Sequence, residues 1–453
     1  MPSVSLSLLA NQLGLPFESE DVALTGLALD SRQVKPGDLF AAIEGAMLNG
    51  NDFVDAAIAM GAAAVISAQP VIQPIPSLRV ENVEKACAGF GELTRQASSA
   101  TVVGITGSAG KTTAKAFVEQ ICLRAGTTVS TLGNQNNELG VPLTLARLSA
   151  DPRFAVVEMG AAQLGDIAHL TRMVKPQIVV LLNALEAHLG RFGSIETIVE
   201  TKGEILDGLT QDSVAVLTAD QPYFEQWKKR AQPASVLSFG MNPEADVRCL
   251  DVVSNGFAGT SMTLSICGEC YRVELAVPGA PGVMNALAAA AVGVALGLDH
   301  ADIIAGLESL PPVAGRCQTL HLDQGIRLVD DSYNASPSSV MAAISVLATT
   351  PIPRTAVLGD MLELGEAAVG YHRQVGRHLS DCGVERVLCV GNLARHFGEV
   401  GNVKAEHFSD VAALIASEPK FAANETILVK GSRGMKLDQF VDSLSASLEV
   451  SRC

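Results

Sequence analysis

The stretch T-V-V-G-I-T-G-S-A-G-K-T-T-A-K-A-F-V-E-Q-I-C-L-R-A, residues 101–125, decides the fold. It begins as a β-branched run ending in glycine, TVVGITG (101–107). From Lys111 the period changes, and Ala114, Phe117, Val118, Ile121, Cys122 and Ala125 fall on one face of a helix. A strand that turns through T-G-S-A-G-K-T-T (106–113) into a helix is the setting a phosphate-binding loop requires. Backbone N–H groups of Gly107, Ser108, Ala109 and Gly110 would point inward there, and the helix N-terminus adds positive potential. Lys111 is placed to reach β- and γ-phosphates, and the Thr112 hydroxyl, followed by Thr113, to hold Mg²⁺. The strict motif has glycine six residues before the lysine, where this chain has Ile105. The competing reading is a glycine-rich turn with an incidental lysine.

Outward from this unit the chain divides into three α/β domains. Residues 1–83 mix strand-like runs (37–45 and 62–68) with a helical stretch between them. A helix over 84–99 opens the second domain, 84–310. Apolar strand candidates follow at 127–132, 154–160, 177–185 and 213–219, separated by helical segments such as 166–174 and 194–209. This alternation predicts a mainly parallel sheet covered on both faces. MTLSICGECYRVELAV (262–277) reads as a β-hairpin, and Ala286 to Leu298 as a buried core helix. After Pro311-Pro312, residues 311–453 repeat the grammar. Strands at 326–333, 354–361, 386–391 and 425–431 alternate with helices near 336–349, 368–381, 410–418 and 435–449. This is a second doubly wound unit.

Composition sets the outer bounds. The 453 residues accommodate about three domains of ~150 residues. A formal charge of −16 argues against a protein that coats nucleic acid or an anionic membrane. No segment reaches the 18 or so apolar residues of a membrane span. The start lacks a basic n-region, so no secretory signal is expected. The nine scattered cysteines suit reduced thiols in a cytoplasm better than a disulfide framework.

Further candidates lie at predicted strand ends, where a parallel sheet presents its ligand edge. Glu158 closes FAVVE and could orient Mg²⁺ at a triphosphate, or simply face solvent. His188 follows QIVVLLNAL, but a lone histidine is as readily structural. Lys202, in E-T-K-G-E, has the spacing of an ordinary solvated helix lysine. The loop L-G-N-Q-N-N-E-L-G (132–140) reads equally as a polar substrate contact and as a turn. Cys267-Gly268-Glu269-Cys270 lacks a second ligand pair for zinc and a helix for redox chemistry, so it reads as a turn with two thiols. Asp330, Asp331, Tyr333 and Asn334 gather at a strand end before Ser336-Pro337, and Arg316 lies between two α/β units, suited to bridge to a triphosphate or to sit on the surface.

Together these stretches resemble the Mur ligase family of peptidoglycan synthesis. T-G-S-A-G-K-T-T looks like that family's ATP loop, which also lacks the first strict glycine. V-V-E-M-G, A-H-L-G-R-F-G-S, T-K-G-E-I, N-A-L-A-A-A-A (from Asn285), A-G-R (to Arg316), D-D-S-Y-N-A-S-P and L-G-D-M-x-E-L-G (358–365) come in the family's order. D-S-R (30–32) with P-G-D-L-F (36–40) is similar to its UDP-sugar-binding domain. The resemblance implies a small N-terminal substrate domain, a central ATPase domain and a Rossmann-like C-terminal domain. D-D-S-Y-N-A and G-D-M-L-E-L-G with Tyr371-His372 point to the member that joins D-alanyl-D-alanine to UDP-N-acetylmuramoyl-tripeptide. Ser336 stands where asparagine is common.

By this resemblance ATP phosphorylates the peptide carboxylate and the amine of the dipeptide attacks the acyl phosphate. Gly107 to Thr113 would cradle the triphosphate. Thr112 and Glu158 would hold one Mg²⁺, and Glu158 and His188 a second, supported by a carbamylated Lys202. Asn285 would contact adenine, while Arg316 and Asp331 would reach ATP across the cleft. Ser31 would contact the uridine diphosphate, and Asn134 to Asn137 the peptide. Domain closure would complete the site. The resemblance also implies a cytoplasmic monomer. The alternatives are a ligase adding the third residue, a folylpolyglutamate synthetase-like ligase, or a phosphate-loop switch.

Overall fold

The computed structural model describes residues 4–45, 47–186 and 189–448. In the first unit four parallel strands, Gly26–Ala28, Asp38–Ala42, Ala64–Ser67 and Ser77–Arg79, pair in chain order. A short antiparallel pair, Val4–Ser5 with Ala23–Leu24, lies beside them. Their core is completed from outside. The helix Val83–Ala97 buries Val83, Ala86, Phe90 and Leu93 among Leu6, Leu9, Leu39 and Ile66. Asn82 caps it by accepting from Lys85 N at 2.7 Å, satisfying a donor that the helix itself cannot. A Cβ on Gly91 of this helix would lie 3.1 Å from Pro142 Cα, so its other face presses on the helix Gly140–Ala146 of the second unit.

The second unit is built on a nine-stranded sheet. Its strands run in space as 269–275, 260–266, 247–254, 235–240, 214–218, 178–181, 101–106, 154–158 and 128–130. The strands from 247–254 to 128–130 pair in parallel, and the hairpin 260–275 extends the edge antiparallel. Side chains alternate between two cores: Val103 and Ile105 face one, Val102 the other. Val103 and Ile105 meet Phe117, Val118 and Ile121 of the loop helix Lys111–Ala125, and Ala286–Val292 of the helix Gly279–Ala295. The alanine-rich run is a buried core helix, as its sequence implies. Small residues let the helices close: a Cβ on Gly306 would sit 2.7 Å from Ile121 Cα.

The third unit is a six-stranded sheet in the order 318–321, 327–331, 426–430, 354–359, 386–390 and 404–408. All pairs are parallel except the first. The last-made strand, Thr426–Lys430, is inserted between Arg327–Asp331 and Arg354–Gly359. Lys430 is thereby set beside Asp331 at the carboxyl edge. Sequence reading passed over 235–240, 247–254, 318–321 and 404–408. Asp251 to Ser254, and Lys404 with Ala405, are exposed, so these strands lack the apolar runs that marked the inner ones.

Phe117 is fully buried between the loop helix and the sheet. Phe117→Ala should destabilise the second unit by about 3–5 kcal/mol, whereas Leu132→Ala, at a side chain 52% exposed, should change it by less than about 0.5 kcal/mol. Denaturant unfolding of the two variants checks both values.

Candidate active site

The loop strand Thr101–Thr106 delivers Gly107 to Gly110 to the head of the loop helix. Gly110, the residue before that helix, has φ +85°, and a Cβ there would lie 2.3 Å from Asn285 Oδ1. Only glycine fits both demands. The loop is clamped from the neighbouring strand end. Ala109 N donates to Asn183 Oδ1 at 3.0 Å, and Asn183 Nδ2 donates back to Ala109 O at 3.1 Å. Ser108 N donates to Asn183 O at 3.1 Å, and Ser108 Oγ to Leu185 O at 3.2 Å. Lys111 folds over the loop, its Nζ donating to Gly107 O at 2.7 Å. Burial pushes the Lys111 ammonium down from its ordinary value, Glu158 opposes this, and Arg316 adds to it.

Glu158 is buried beside the loop. Its Oε1 accepts from Asn136 Nδ2 at 2.7 Å and from Thr112 Oγ1 at 3.4 Å. Its Oε2 is buried with no hydrogen-bond partner among the described residues. An unpaired buried carboxylate oxygen is costly unless a cation answers it. A carboxylate and a hydroxyl are the hard oxygen donors that Mg²⁺ takes. Among the described residues no group of three His, Cys, Asp or Glu could hold a metal. His188 lies outside the described residues.

Lys202 sits on the helix Ile195–Gly203, capped by Ser194, whose Oγ accepts from Thr197 N at 3.2 Å. It is 4% exposed, with Nζ 5.7 Å from the Phe192 ring. Burial and then the Lys111 charge bring its pKa down to about 7, against the pull of Asp166 and Glu204. The solvated-lysine reading therefore fails. Glu204 ties this region to the start of the earlier helix Asp166–Val174: its carboxylate accepts from Gly165 N at 2.7 Å and Ala168 N at 2.9 Å.

The third unit approaches from the other side. Arg316 Nη2 donates to Thr112 Oγ1 at 3.5 Å, and its guanidinium lies 4.1 Å from the Tyr333 ring centroid. Asp331 Oδ2 accepts from Lys430 Nζ at 2.6 Å, and Lys430 also donates to Asn334 O at 3.0 Å. Cavities of about 280 Å³ and 220 Å³ lie between the units, the first by Glu186, Ser338 and Tyr371, the second by Thr113 and Arg316. His372 is structural: its Nε2 accepts from Met361 N at 3.0 Å, and Nδ1 meets Ala368 O at 2.7 Å.

The structure thus brings together Gly107–Thr113, Glu158, Lys202, Asn285 and Arg316, with Asp331 engaged by Lys430. Asn137 Oδ1 accepts from Gly140 N at 3.0 Å at the start of its helix, and Asn134 is exposed. Asn136, between them, is the loop residue that touches Glu158. A Cβ on Gly160 would sit 2.8 Å from Asn136 Oδ1, so the glycine of V-E-M-G admits it. Ser31 is buried in the turn Ser31–Gln33, which Asp30 caps by accepting from Arg32 N at 3.0 Å. Sequence reading missed Asn183, Glu204 and Lys430, and it placed Asn136 in a substrate loop without its contact to Glu158. Asn183 and Asn136 each stand beside a strand end, the one signal that could have singled them out.

Three family models match the chain: "Mur ligase family, catalytic domain" over 23–92, "Mur ligase middle domain" over 105–293, and "Mur ligase, glutamate ligase domain" over 315–433. The UDP-N-acetylmuramoyl-tripeptide–D-alanyl-D-alanine ligase of Escherichia coli (strain K12) is 37% identical, over 98% of this chain and 99% of its own. A crystal structure of MurF from Acinetobacter baumannii superposes with TM-score 0.87 at 28% identity, covering 98% of this chain and 100% of that one. MurF ligase from Thermotoga maritima in complex with ADP superposes with TM-score 0.81 at 29% identity, covering 93% and 97%. A relative this similar along nearly the whole length, joined to the loop and carboxylate geometry, leaves one conclusion: the chain belongs to the Mur ligase family.

Proposed function

We propose that this chain joins D-alanyl-D-alanine to UDP-N-acetylmuramoyl-tripeptide at the expense of ATP, through an acyl phosphate. The observation that carries the reading is the convergence on Thr112: Glu158 from the neighbouring strand and Arg316 from beyond the domain joint both reach its hydroxyl. That point is where the γ-phosphate of a nucleotide in the loop would lie. The peptide carboxylate attacks the γ-phosphorus, ADP leaves, the dipeptide amine attacks the acyl carbon, and phosphate departs with the amine giving up a proton. Charge builds on phosphoryl oxygens in both steps, so the chain's work is positioning and electrostatic stabilisation.

Lys111 leaves Gly107 O for the β- and γ-phosphates, and Arg316 supplies charge from the third unit. Thr112 and Glu158 would hold Mg²⁺, which shields the phosphates and polarises the phosphorus. Asn136 orients the Glu158 carboxylate. Asn285, packed against Gly110, would contact the adenine, and Asp331, held by Lys430, would reach ATP from the third unit. A pKa of about 7 leaves Lys202 largely neutral slightly above pH 7, so its amine can add to CO₂, releasing a proton and leaving a carbamate. That anion would offset Lys111 and support a second metal with His188. Ser31 and the Asn134–Asn137 loop would contact the nucleotide-sugar substrate.

We read the enzyme as a cytoplasmic monomer. Eight cysteines among the described residues are free thiols, which fits a reducing compartment. No helix of the described residues is long and apolar enough to cross a membrane.

Phosphate release from Mg-ATP should require both UDP-N-acetylmuramoyl-tripeptide and D-alanyl-D-alanine. Release supported equally by single amino acids would assign the chain to another ligase. Asn136→Ala should raise the Mg²⁺ concentration for half-maximal activity about 10–100-fold, read by titrating the ion at saturating ATP. Carbamylation draws on the neutral amine, and a group with its pKa near 7 is about 10% neutral at pH 6 and about 90% at pH 8. At fixed dissolved CO₂, activity should therefore rise over that interval and fall when CO₂ is stripped. Indifference to CO₂ at pH 6 would remove the carbamate from the mechanism.

A further inference from the structure

Cys317 has no part in the chemistry above, yet it stands between Arg316 and Asp331. It follows Arg316 directly and precedes the strand Gln318–His321. Its φ is +55°. A side chain in that region is disfavoured unless its surroundings impose it. The turn it makes separates the strand from a tightly held arginine. Arg316 N donates to Val313 O at 3.0 Å, and Tyr333 N donates to Gly315 O at 3.2 Å. A Cβ on Gly315 would lie 3.1 Å from Tyr333 Cβ, so the backbone before Arg316 lies flat on that tyrosine. The guanidinium then stacks on the Tyr333 ring and reaches Thr112 Oγ1.

The side chain of Cys317 serves the other group. Gln318 pairs with Asp330 in the antiparallel register, so one step back Cys317 stands opposite Asp331. Its thiol hydrogen-bonds the Asp331 carboxylate. Burial, and after it the Asp331 charge, hold the thiol well above its ordinary pKa, against the pull of Lys430 and Arg316. It therefore stays an S–H donor. Asp331 is gripped from two sides, by this thiol and by Lys430 Nζ at 2.6 Å. Cys317 also packs against the third unit's core and lines the 220 Å³ cavity with Thr113 and Arg316. A small apolar side chain with one weak donor suits a place between a core and a carboxylate.

We infer that Cys317 is a positioning residue for the nucleotide: its left-handed backbone aims Arg316, its thiol fixes Asp331, and the two groups are thereby presented in one set relation. The inference rests on the ligase reading for the roles of Arg316 and Asp331, and it adds the residue that couples them. It also accounts for the strained backbone. Glycine would adopt φ +55° freely, but it would release the carboxylate and loosen the arginine together. The strain is kept where function needs it and stability does not.

The test compares Cys317→Ser, Cys317→Ala and Cys317→Gly in the full chain. Three readouts are taken: thermal midpoint, affinity for a non-hydrolysable ATP analogue with UDP-N-acetylmuramoyl-tripeptide present, and steady-state phosphate release. Cys317→Ser keeps a donor and should match the wild type in affinity. Cys317→Ala should weaken the analogue and raise KM for ATP about 10-fold with kcat little changed. Cys317→Gly should do the same, lower kcat about 10-fold as well because Arg316 is no longer aimed, and hold or raise the thermal midpoint. A midpoint and an affinity that fall together in Cys317→Gly mark a merely structural residue and overturn the inference. So does wild-type affinity in Cys317→Ala and Cys317→Gly, or a Cys317→Ser variant as weak as Cys317→Ala. A wild type that binds the analogue without dipeptide-dependent phosphate release overturns the ligase reading instead, and the affinities of the three variants still decide the part played by Cys317.

Discussion

Lys111 and Lys202 are two ammonium groups enclosed close to one another, and the rest of the site answers that fact. Each is pushed toward its neutral form by burial, and the Lys111 charge lowers Lys202 further. Glu158 supplies one negative charge nearby, but one of its oxygens has no partner among the described residues. Such a set of charges is poorly solvated by protein alone, and phosphate anions with the proposed Mg²⁺ would answer it. Stability is given up in the free protein so that the groups need not reorganise when the phosphoryl group moves.

Holding these charges in place requires a stiff frame. The phosphate loop does not stand by itself: Asn183 clamps Ala109 from the next strand, and Asn285 fills the space a side chain at Gly110 would occupy. Glu158 is fixed by Asn136 on one oxygen, and its backbone N donates to Thr131 Oγ1 at 3.0 Å. From the third unit, Arg316 reaches Thr112 Oγ1, and Asp331 is paired with Lys430. Division of the site between frame and visitor ties chemistry to domain arrangement.

The parts legible in the sequence are those whose causes are local. The loop was readable because strand, glycine turn, lysine and helix follow one another within residues 101–125. The inner parallel strands were readable because burial on both faces demands an unbroken apolar run. Edge strands such as Lys404–Phe408 carry no such run, since they are half in water. Asn183, and the carboxylate contact of Asn136, escaped because their significance comes from Ala109 and Glu158, far off in the chain. Lys430 is paired with Asp331 only because the last strand is inserted beside Arg327–Asp331. Lys202 shows the limit most plainly: its helical spacing suggests solvent, whereas the fold encloses it. Its spacing carries no trace of a role; only the family resemblance implies one.

The packing of the loop helix bears on how the protein is made. Phe117, Val118 and Ile121 are covered by Val283, Ala286 to Val292, Ile303 and Leu307. A nascent chain that has just released its phosphate loop from the ribosome therefore has only its own short strand, Thr101–Thr106, to lay against that apolar face. Until Leu307 has emerged, the helix is a sticky amphipathic rod on an unfinished sheet, and until Asn285 has emerged the loop it anchors is likewise unsupported. Vectorial synthesis thus leaves a long interval in which this segment invites chaperones or misassociation, and nucleotide binding is deferred until two-thirds of the polypeptide is present.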